Sequence, residues 1–401
     1  MAELGPRIGY LIPEFPGQTH SFFWREILAL QARHGYPVRI FSTRMPIRSV
    51  MHDWVVNAQA QYLFPLPPAS WPLVLGGLLA RGGRVLSQPD ARRTLRRRQT
   101  WPLLVLAGRL GQLCRREGIT HLHVHSCANS ALIAAFCHLL YGLPYSLVLH
   151  GPVEDYGPDQ DFKWARARFG FVITEKLRQE MTAMLPSVAG RCRIAPMGVD
   201  TDHFSPQPGD RPEGRPFRWF CCARLNRVKG YDVLLDALEA IRRDRPELAW
   251  ELFVAGEDEQ GGQGYRRELE ARIARAGLAD RVTLLGAVTQ QEVLDQLHAA
   301  DGFVLASWAE PLGVAYMEAM ACGVPTIGTA AGGVLELIES GRDGLLVPPK
   351  DSPALAAALL RLMREPELRD TLARQGRARI VESFGASRSA DALAEALHDF
   401  G

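Results

Sequence analysis

The sequence of 401 residues is 47% hydrophobic and carries 46 basic against 44 acidic side chains, for a formal net charge of +2. Such a chain can bury large cores and predicts two or three globular domains. No apolar run approaches the roughly 20 residues that span a bilayer, and the N-terminus lacks the arrangement of a secretory signal, so we expect neither a transmembrane helix nor secretion by that route. The seven cysteines include no CxxC pair, which favours a reduced cytosolic compartment.

The near-neutral total conceals a difference between the two halves of the chain. Residues 1–195 carry 23 basic and 12 acidic side chains, or +11, whereas residues 196–401 carry 23 and 32, or −9. The two halves are therefore expected to face different surroundings.

Short apolar, β-prone runs alternate with longer amphipathic ones, which is the pattern of parallel sheets covered by helices. The predicted strands of the first half are RIGYLI (7–12), VRIFS (38–42), HLHVHS (121–126), YSLVLH (145–150), FGFVIT (169–174) and CRIAPM (192–197). Those of the second half are WFCCARL (219–225), WELFVAG (250–256), RVTLLGAV (281–288), GFVLAS (302–307), PTIGTA (325–330) and GLLVP (344–348). The predicted fold class is α/β, with two Rossmann-like, doubly wound parallel-sheet domains.

The domain boundary is predicted in the proline- and glycine-rich segment 198–216. We expect a first domain over 1–195, a second over 196–380, and a C-terminal helix over 381–401 that returns to the first domain. A ligand site is expected in a cleft at the carboxyl ends of the strands.

Residues 69–116 combine two aliphatic runs, WPLVLGGLLA and WPLLVLAG, with ten arginines that oppose a single acid, Asp90. Two interpretations stay open. The segment, in particular 81–116, is a basic, Trp-bearing surface that docks on anionic lipid, or it is a solvated helical pair that packs its leucines on its own domain. Nucleic acid is not an expected partner, because no aromatic platform or reading motif accompanies the arginines.

Residues 310–323, EPLGVAYMEAMACG, hold two glutamates eight positions apart after a predicted strand. Gly313 suits a helix start, where unpaired N–H groups and the helix dipole attract an anion and a glycine lets a phosphate approach. Glu310 precedes this start. Glu318 lies roughly 7 Å along the helix, with a side chain that leans back toward the N-terminus. Two carboxylates beside one anion site suit a ligand in which a sugar, a diphosphate and a ribose diol follow one another. Such a ligand is a nucleotide sugar.

Two flanking segments favour this interpretation over a solvated helix position for Glu318 and a dipole-facing carboxylate for Glu310. Arg224 and Lys229 follow a predicted strand and can neutralise a diphosphate. The pair Gly332-Gly333 allows close backbone approach between strand and helix. The plain alternatives are surface cations and a tight turn.

With these motifs the chain resembles the retaining GT-B-fold glycosyltransferases of family 4, of the bacterial exopolysaccharide and colanic-acid type. The resemblance is carried by EPLGVAYME (310–318) with the segment that follows it to Asp351, by RIAPMGVDTDHF (193–204), by ARLNRVKGYDVLLDAL (223–238) and by LADRVTLLGAV (278–288). It implies an acceptor-side first domain and a donor-binding second domain that face each other across a cleft.

The resemblance also implies residue roles. Arg224 and Lys229 would bind the donor diphosphate, Glu318 the ribose hydroxyls and Glu310 the donor sugar hydroxyls. Main-chain groups would supply further donor contacts, at Leu312, Gly313, Val314 and, for the base, Val288. The loop GEDEQGGQG (256–264) is longer than the glycine turn usual in relatives.

In the first half, the resemblance assigns a donor contact to Gly17, which precedes a predicted helix. Thr19 and His20 are secondary acceptor-side candidates; their plain alternatives are an N-cap and a surface histidine. His150, which ends a predicted strand, matches the catalytic-centre histidine of the family.

His123 and His125 share one face of another predicted strand. A third metal ligand is not identified for them, so a structural or acceptor-side role is expected. We predict no metal site and no organic cofactor.

The predicted function is transfer, with retention, of a hexose-type sugar from a nucleoside diphosphate donor to a glycan or lipid-linked oligosaccharide in polysaccharide biosynthesis. The resemblance favours UDP as the carrier, with GDP as the alternative, and a catalytic set of His150, Glu310, Arg224 and Lys229. We expect a cytoplasmic protein, with peripheral binding to the cytoplasmic face of the inner membrane left open.

Two other classes of protein are weighed against this one. A non-catalytic nucleotide-sugar-binding regulatory or partner subunit would keep the same residues. A dinucleotide-dependent oxidoreductase would need G-x-G-x-x-G after a strand, and GGQGYRR (261–267) lacks the third glycine.

Overall fold

The computed structural model describes residues 5–17, 21–46, 53–207 and 214–400. The chain divides into two compact units: the first runs to Pro196 and resumes at Ser387, and the second is Met197–Ala386. Thr19 and His20 lie outside the described residues.

The first unit is built on a seven-stranded parallel sheet in the order β3-β2-β1-β4-β5-β6-β7. Its strands are β1 (Ile8–Glu14), β2 (Val38–Arg44), β3 (Ala60–Phe64), β4 (His121–Val124), β5 (Tyr145–Leu149), β6 (Phe169–Val172) and β7 (Cys192–Ile194). Every residue of β4, β5 and β6 is buried, as expected for parallel strands covered on both faces.

The connecting helices of the first unit cover this sheet. They are α1 (Ser21–His34), α2 (Trp71–Leu86), α3 (Pro89–Leu95), α4 (Trp101–Glu117), α5 (Asn129–Tyr141), α6 (Gln160–Ala165) and α7 (Glu175–Met184). The basic segment of the sequence thus becomes α2, α3 and α4.

The second unit is a six-stranded parallel sheet in the order β10-β9-β8-β11-β12-β13. Its strands are β8 (Phe217–Cys222), β9 (Trp250–Ala255), β10 (Val282–Gly286), β11 (Gly302–Val304), β12 (Thr326–Thr329) and β13 (Leu345–Val347). Its helices are α8 (Tyr231–Asp244), α9 (Tyr265–Arg275), α10 (Gln290–Ala299), α11 (Val314–Ala321), α12 (Val334–Leu337), α13 (Ser352–Arg364) and α14 (Pro366–Ser383). Each sheet order reverses beside its first strand, which is the topology of doubly wound α/β domains.

The last helix, α15 (Ala386–Asp399), packs on the first sheet. Its apolar face, which includes Ala390, Leu393 and Leu397, belongs to the same buried cluster as Ile8 and Tyr10. Asp391 accepts hydrogen bonds from Arg33 at 2.9 and 3.0 Å. The helix is therefore part of the first unit's core.

The predicted fold class is confirmed. Each of the twelve predicted strands is present, and β3 is the strand that the sequence did not reveal. Across the described ranges, no helix is both long and apolar enough to cross a membrane.

Candidate active site

Two loops of the second unit meet at the carboxyl ends of its central strands. The first, 223–230, follows β8, and the second, 305–313, follows the neighbouring strand β11; we call them the donor loops. The Trp308 N–H donates to the Val228 carbonyl at 2.8 Å. Gly230 has φ +68°, and a Cβ there would lie 1.9 Å from the Ala306 carbonyl oxygen. The close approach of the two loops therefore depends on a glycine.

This approach brings two predicted site residues into direct contact. The Lys229 ammonium donates to Glu310 Oε2 at 2.5 Å, and the two side chains are 15% and 12% exposed. The charge of the Glu310 carboxylate is thus neutralised by a cation from the other donor loop. This pairing reduces the repulsion that a lone carboxylate would exert on a nearby phosphate.

The helix start predicted after Glu310 is present. Helix α11 begins at Val314, preceded by Gly313 at φ +96°, a conformation that favours glycine. Its first N–H groups point out of the helix end, together with the positive end of the dipole. Leu312 is buried, so its side chain anchors the loop to the interior of the second unit. The arrangement suits an anion beside the Lys229–Glu310 pair.

Glu318 lies in the second turn of α11 and is half-buried. Burial and the charge of Glu318 together raise the pKa of the Cys222 thiol. Cys222 is the last residue of β8, so the Glu318 carboxylate lies close enough to the carboxyl end of that strand to act on its charge.

The glycine pair after β12 has a structural function that the sequence only partly indicated. Gly332 has φ +65°, and a Cβ there would lie 2.2 Å from the Glu310 carbonyl oxygen. The neighbouring Gly333 N–H donates to that same oxygen at 2.9 Å. What approaches closely is the backbone of Glu310, so the pair fixes the position of the second donor loop.

Arg224 takes no part in the Lys229–Glu310 contact. Its side chain is 56% exposed, with Nη1 3.6 Å from Glu259 Oε1 in the long loop 256–264. Val288 lies between β10 and α10 and is partly buried. Both residues are at the carboxyl side of their strands, as predicted.

The long loop is organised by a buried carboxylate. Asp258 accepts backbone hydrogen bonds from Gln260, Gly262, Gly264 and Arg266 at 2.8–3.0 Å. Burial alone would raise the pKa of Asp258, but these four N–H donors lower it below its usual value. Hydrogen bonds to the Asp258 carboxylate therefore fix the conformation of the loop.

In the first unit, a chain of polar contacts leads to His150. Strands β4 and β5 are paired neighbours, so His125 and His150, which follow them, meet: His125 Nδ1 lies 3.2 Å from His150 Nε2. On its other side, His125 Nε2 lies 3.1 Å from Glu26 Oε1 on α1. We call Glu26, His125 and His150 the histidine chain.

The histidine chain is set in a buried polar cluster. The Tyr10 hydroxyl donates to Glu26 Oε1 at 2.8 Å, and Ser146 Oγ lies 2.8 Å from both His121 Nε2 and His123 Nδ1. Burial lowers the pKa of His121 to about 3 and holds the pKa of His123 well below its usual value. Both histidines are neutral and act as structural hydrogen-bonding groups.

The charge of the cluster resides on Glu26. Burial would raise its pKa, but the contacts with His125 and the Tyr10 hydroxyl outweigh burial and set the pKa of Glu26 at about 2. Sequence reasoning missed Glu26, although it is the single acid of α1 and follows Arg25 in the otherwise apolar run FFWREIL.

Glu26 also supplies the third metal-ligand candidate that the sequence analysis lacked. One ligand atom from each of Glu26, His123 and His125 lies within 4.8 Å of the others. Carboxylate and imidazole groups of this kind can bind a divalent transition metal. Metal independence therefore stays a prediction. Gly17 is buried in the loop after β1.

Comparison with known proteins defines the second unit. Residues 216–365 match the family model described as Glycosyl transferases group 1. The matched region contains both donor loops, the glycine pair and all of α11, so it includes every donor contact predicted for the second half.

The chain also matches curated relatives over part of its length. The chain is 37% identical over 155 residues to mannosylfructose-phosphate synthase of Agrobacterium fabrum, covering 38% of this chain and 34% of the relative. It is 32% identical over 207 residues to the lipopolysaccharide core biosynthesis mannosyltransferase LpsB of Rhizobium meliloti, covering 49% and 58%. The chain thus matches only part of the length of these relatives.

Solved structures resemble the whole chain in fold. The Anabaena protein HepE, in complex with UDP and glucose, has a TM-score of 0.74 at 18% identity and covers 98% of this chain and 100% of its own. Sucrose-phosphate synthase from Thermosynechococcus elongatus has a TM-score of 0.74 at 21% identity, covering 98% of each chain. At these identities the likeness shows the fold, which is that of GT-B glycosyltransferases.

Proposed function

We propose that this protein is a retaining glycosyltransferase. It moves a hexose from a nucleoside diphosphate donor to a glycan or lipid-linked oligosaccharide acceptor in polysaccharide biosynthesis. The observation that carries the proposal is the Lys229–Glu310 contact at the start of α11, inside a domain that matches the family. A cation, a carboxylate and a helix N-terminus together suit a sugar diphosphate.

The donor we propose is a UDP-sugar, with a GDP-sugar as the alternative. Support comes from the fold neighbour HepE, whose structures hold UDP, UDP with glucose, and UDP-glucose. In this proposal the Glu318 carboxylate accepts from the ribose hydroxyls, and the backbone at Val288 contacts the base.

The diphosphate is the leaving group, so its developing negative charge must be stabilised. Lys229 and the N–H groups of Leu312, Gly313 and Val314 supply that stabilisation from positions that are already fixed. Arg224, which is exposed, joins them once an anion is bound. Glu310 accepts from hydroxyls of the donor sugar while it keeps Lys229 in place.

Retention follows a front-face route in this proposal. The bond between the anomeric carbon and the diphosphate oxygen breaks, the acceptor oxygen bonds to the same face, and the acceptor proton passes to the leaving diphosphate. His150 positions the reacting groups, and Thr19, His20 and His125 remain acceptor-side candidates. The function requires no metal and no organic cofactor.

The proposed setting is the cytoplasmic face of the inner membrane. The first half of the chain carries a net charge of +11, from 23 basic and 12 acidic residues, and the arginines of 81–116 would attract an anionic surface. A lipid-linked acceptor would be presented at such a surface.

The test is release of UDP from a panel of UDP-hexoses in the presence of membrane-derived acceptor, with and without EDTA. Wild-type protein is expected to release UDP under both conditions, and proton NMR of the product is expected to show the anomeric configuration of the donor. Lys229→Ala is expected to abolish release. Arg227→Ala is the matched control, since Arg227 is 63% exposed and pairs with Glu268.

The rival proposal is a non-catalytic nucleotide-sugar-binding regulatory or partner subunit. Tight nucleotide binding without release from any UDP- or GDP-sugar would favour that rival. Inversion at the anomeric carbon would contradict the front-face route.

A further inference from the structure

An apolar groove lies in the helical segment 64–106 of the first unit. Its volume is about 730 Å³, and it is lined by the Phe64–Leu66 stretch, one face of α2 and the first turn of α4. This volume falls within the about 300–1,000 Å³ of pockets that bind small organic ligands. All the lining residues are apolar, proline or glycine, so the groove suits a hydrocarbon.

The mouth of the groove is unusually apolar for a protein surface. Among the described residues, seven of the fifteen exposed large hydrophobic side chains lie between Phe64 and Trp101. Leu79 is 87% exposed, Leu75 49% and Leu86 52%. Contiguous exposure of this kind marks a binding surface rather than a solvated helical pair.

Two tryptophans stand at the mouth in equivalent positions. Helices α2 and α4 both begin with Trp-Pro-Leu, and Trp71 and Trp101, the first residues, both line the groove. They are 43% and 51% exposed. Trp is enriched at membrane–water interfaces because it combines an apolar body with a polar N–H.

The segment that forms the groove is rich in arginine. Residues 64–106 contain seven arginines and one acid, Asp90, which is paired with Arg166 at 2.7 Å. Arg93 and Arg97 are paired with Asp161 and Asp159. Arg84 lies in the last turn of α2, and Arg96 and Arg98 lie between α3 and α4; all three are exposed. Within the described part of the chain, these three arginines pair with no carboxylate.

We infer that this groove takes the hydrocarbon chain of an anionic phospholipid in a bilayer, while Arg84, Arg96 and Arg98 contact the lipid phosphate. The apolar lining matches the acyl chain of an anionic lipid, the two tryptophans match the membrane–water interface, and the unpaired arginines match the phosphate. A protein partner is disfavoured because it would need carboxylates opposite Arg84, Arg96 and Arg98 as well as an apolar face that fills the groove. The inference goes beyond the proposed sugar transfer, which uses the arginines only as a surface charge.

The test compares binding of the full chain to vesicles of phosphatidylcholine with one-third phosphatidylglycerol and to vesicles of phosphatidylcholine alone. Wild type is expected to co-sediment with the anionic vesicles at least tenfold more tightly. It is also expected to lose tryptophan fluorescence when the lipids carry bromine on the acyl chains. Trp71→Phe/Trp101→Phe is expected to remove that quenching, which places these two rings at chain depth.

Two sets of variants separate the chain site from simple charge attraction. Leu75→Gln/Leu79→Gln, at exposed positions, is expected to weaken binding at least tenfold with the charge unchanged. Arg84→Gln/Arg96→Gln/Arg98→Gln is expected to do the same.

The matched control is Arg245→Gln/Arg275→Gln/Arg374→Gln, which removes equal charge from exposed positions in the second unit and is expected to bind like wild type. UDP affinity is measured for every variant, so failure of the lipid site is distinguishable from failure of the donor site.

Three results would overturn the inference. If wild type does not bind anionic vesicles more tightly than vesicles of phosphatidylcholine alone, the protein has no such site. Equal binding by wild type and the leucine variant would mean that the groove holds no chain. A concentration-dependent dimer in light scattering, dissolved by the leucine substitutions, would assign the groove to a second copy of the protein.

Discussion

The contact between Lys229 and Glu310 allows a quantitative test of how the donor loops are held. Lys229→Met leaves Glu310, 12% exposed, without the ammonium group that lies 2.5 Å away. A hydrogen bond between charged groups contributes about 1.5–3 kcal/mol, and the low exposure of both side chains limits screening by solvent. We expect Lys229→Met to lower the free energy of unfolding by about 2–3 kcal/mol and Glu310→Gln by about 1–2 kcal/mol.

The double variant Lys229→Met/Glu310→Gln decides whether the pair acts as a unit. It is expected to cost less than the sum of the single variants by about 1.5 kcal/mol or more, because each single variant already loses the shared interaction. The assay is urea unfolding at neutral pH, with hydrogen exchange of peptides from β8 and β11 to identify the transition of the second unit. Arg227→Met, an exposed cation in the same loop, is the control and is expected to cost under about 1 kcal/mol. Additivity of the two single variants within about 0.5 kcal/mol would refute the coupling.

Three further outcomes are expected. Gly332→Ala should cost about 2–5 kcal/mol, from left-handed backbone strain and from overlap with a carbonyl, whereas Gly341→Ala, at φ +86° with open space around it, should show only the strain of about 1–2 kcal/mol; equal urea midpoints would contradict the overlap. Burial holds the pKa of His121 at about 3, so between that value and its unfolded pKa of about 6.5 only the unfolded chain binds the proton, and stability falls as pH falls, by up to about 1.4 kcal/mol per pH unit. His121→Gln should flatten the dependence between pH 5 and 6 by that amount, and an unchanged slope would contradict the assignment. Glu26→Gln should lower kcat by about a hundredfold through misplacement of His150 with UDP affinity unchanged, and a parallel loss of affinity would argue against a positioning role.

The strands of both sheets were predictable because buried parallel strands are short apolar runs bounded by turn residues. Strand β3 escaped because it lies at the edge of its sheet and, of its five residues, only Leu63 is buried. Its sequence, AQYLF, therefore lacks both the continuous apolar run and a clean alternation.

The placement of individual candidate residues was predictable where they belong to one strand–helix junction. Gly313 and Glu318 belong to one such junction, and the helix starts where the sequence placed it. The partner of Glu310 was not predictable in the same way, because Lys229 is 81 residues away and only the neighbouring positions of β8 and β11 bring the two loops together. The structural role of Gly332 was not predictable for the same reason, because its close neighbour is the backbone of Glu310 rather than a ligand.

The histidine chain shows what sequence reasoning leaves undecided. The alternation in HLHVH indicates one shared face, and in the structure His123 and His125 both approach Glu26, at 3.7 and 3.1 Å. The sequence did not predict this shared partner. An acid in an amphipathic helix such as α1 is usually solvated, so the burial of Glu26 follows only from packing against β1 and β4.

The central claim is that the second unit binds a nucleoside diphosphate through Lys229 and Glu318. Calorimetric titration of the metal-free protein with UDP, GDP and ADP tests it most directly, with Lys229→Ala, Glu318→Ala and the control Arg227→Ala in parallel. The account predicts that UDP, or else GDP, binds tightly, that Lys229→Ala and Glu318→Ala each lose at least tenfold in affinity, and that Arg227→Ala does not. Absence of binding by all three nucleotides, or equal binding by wild type and the two site variants, would contradict it.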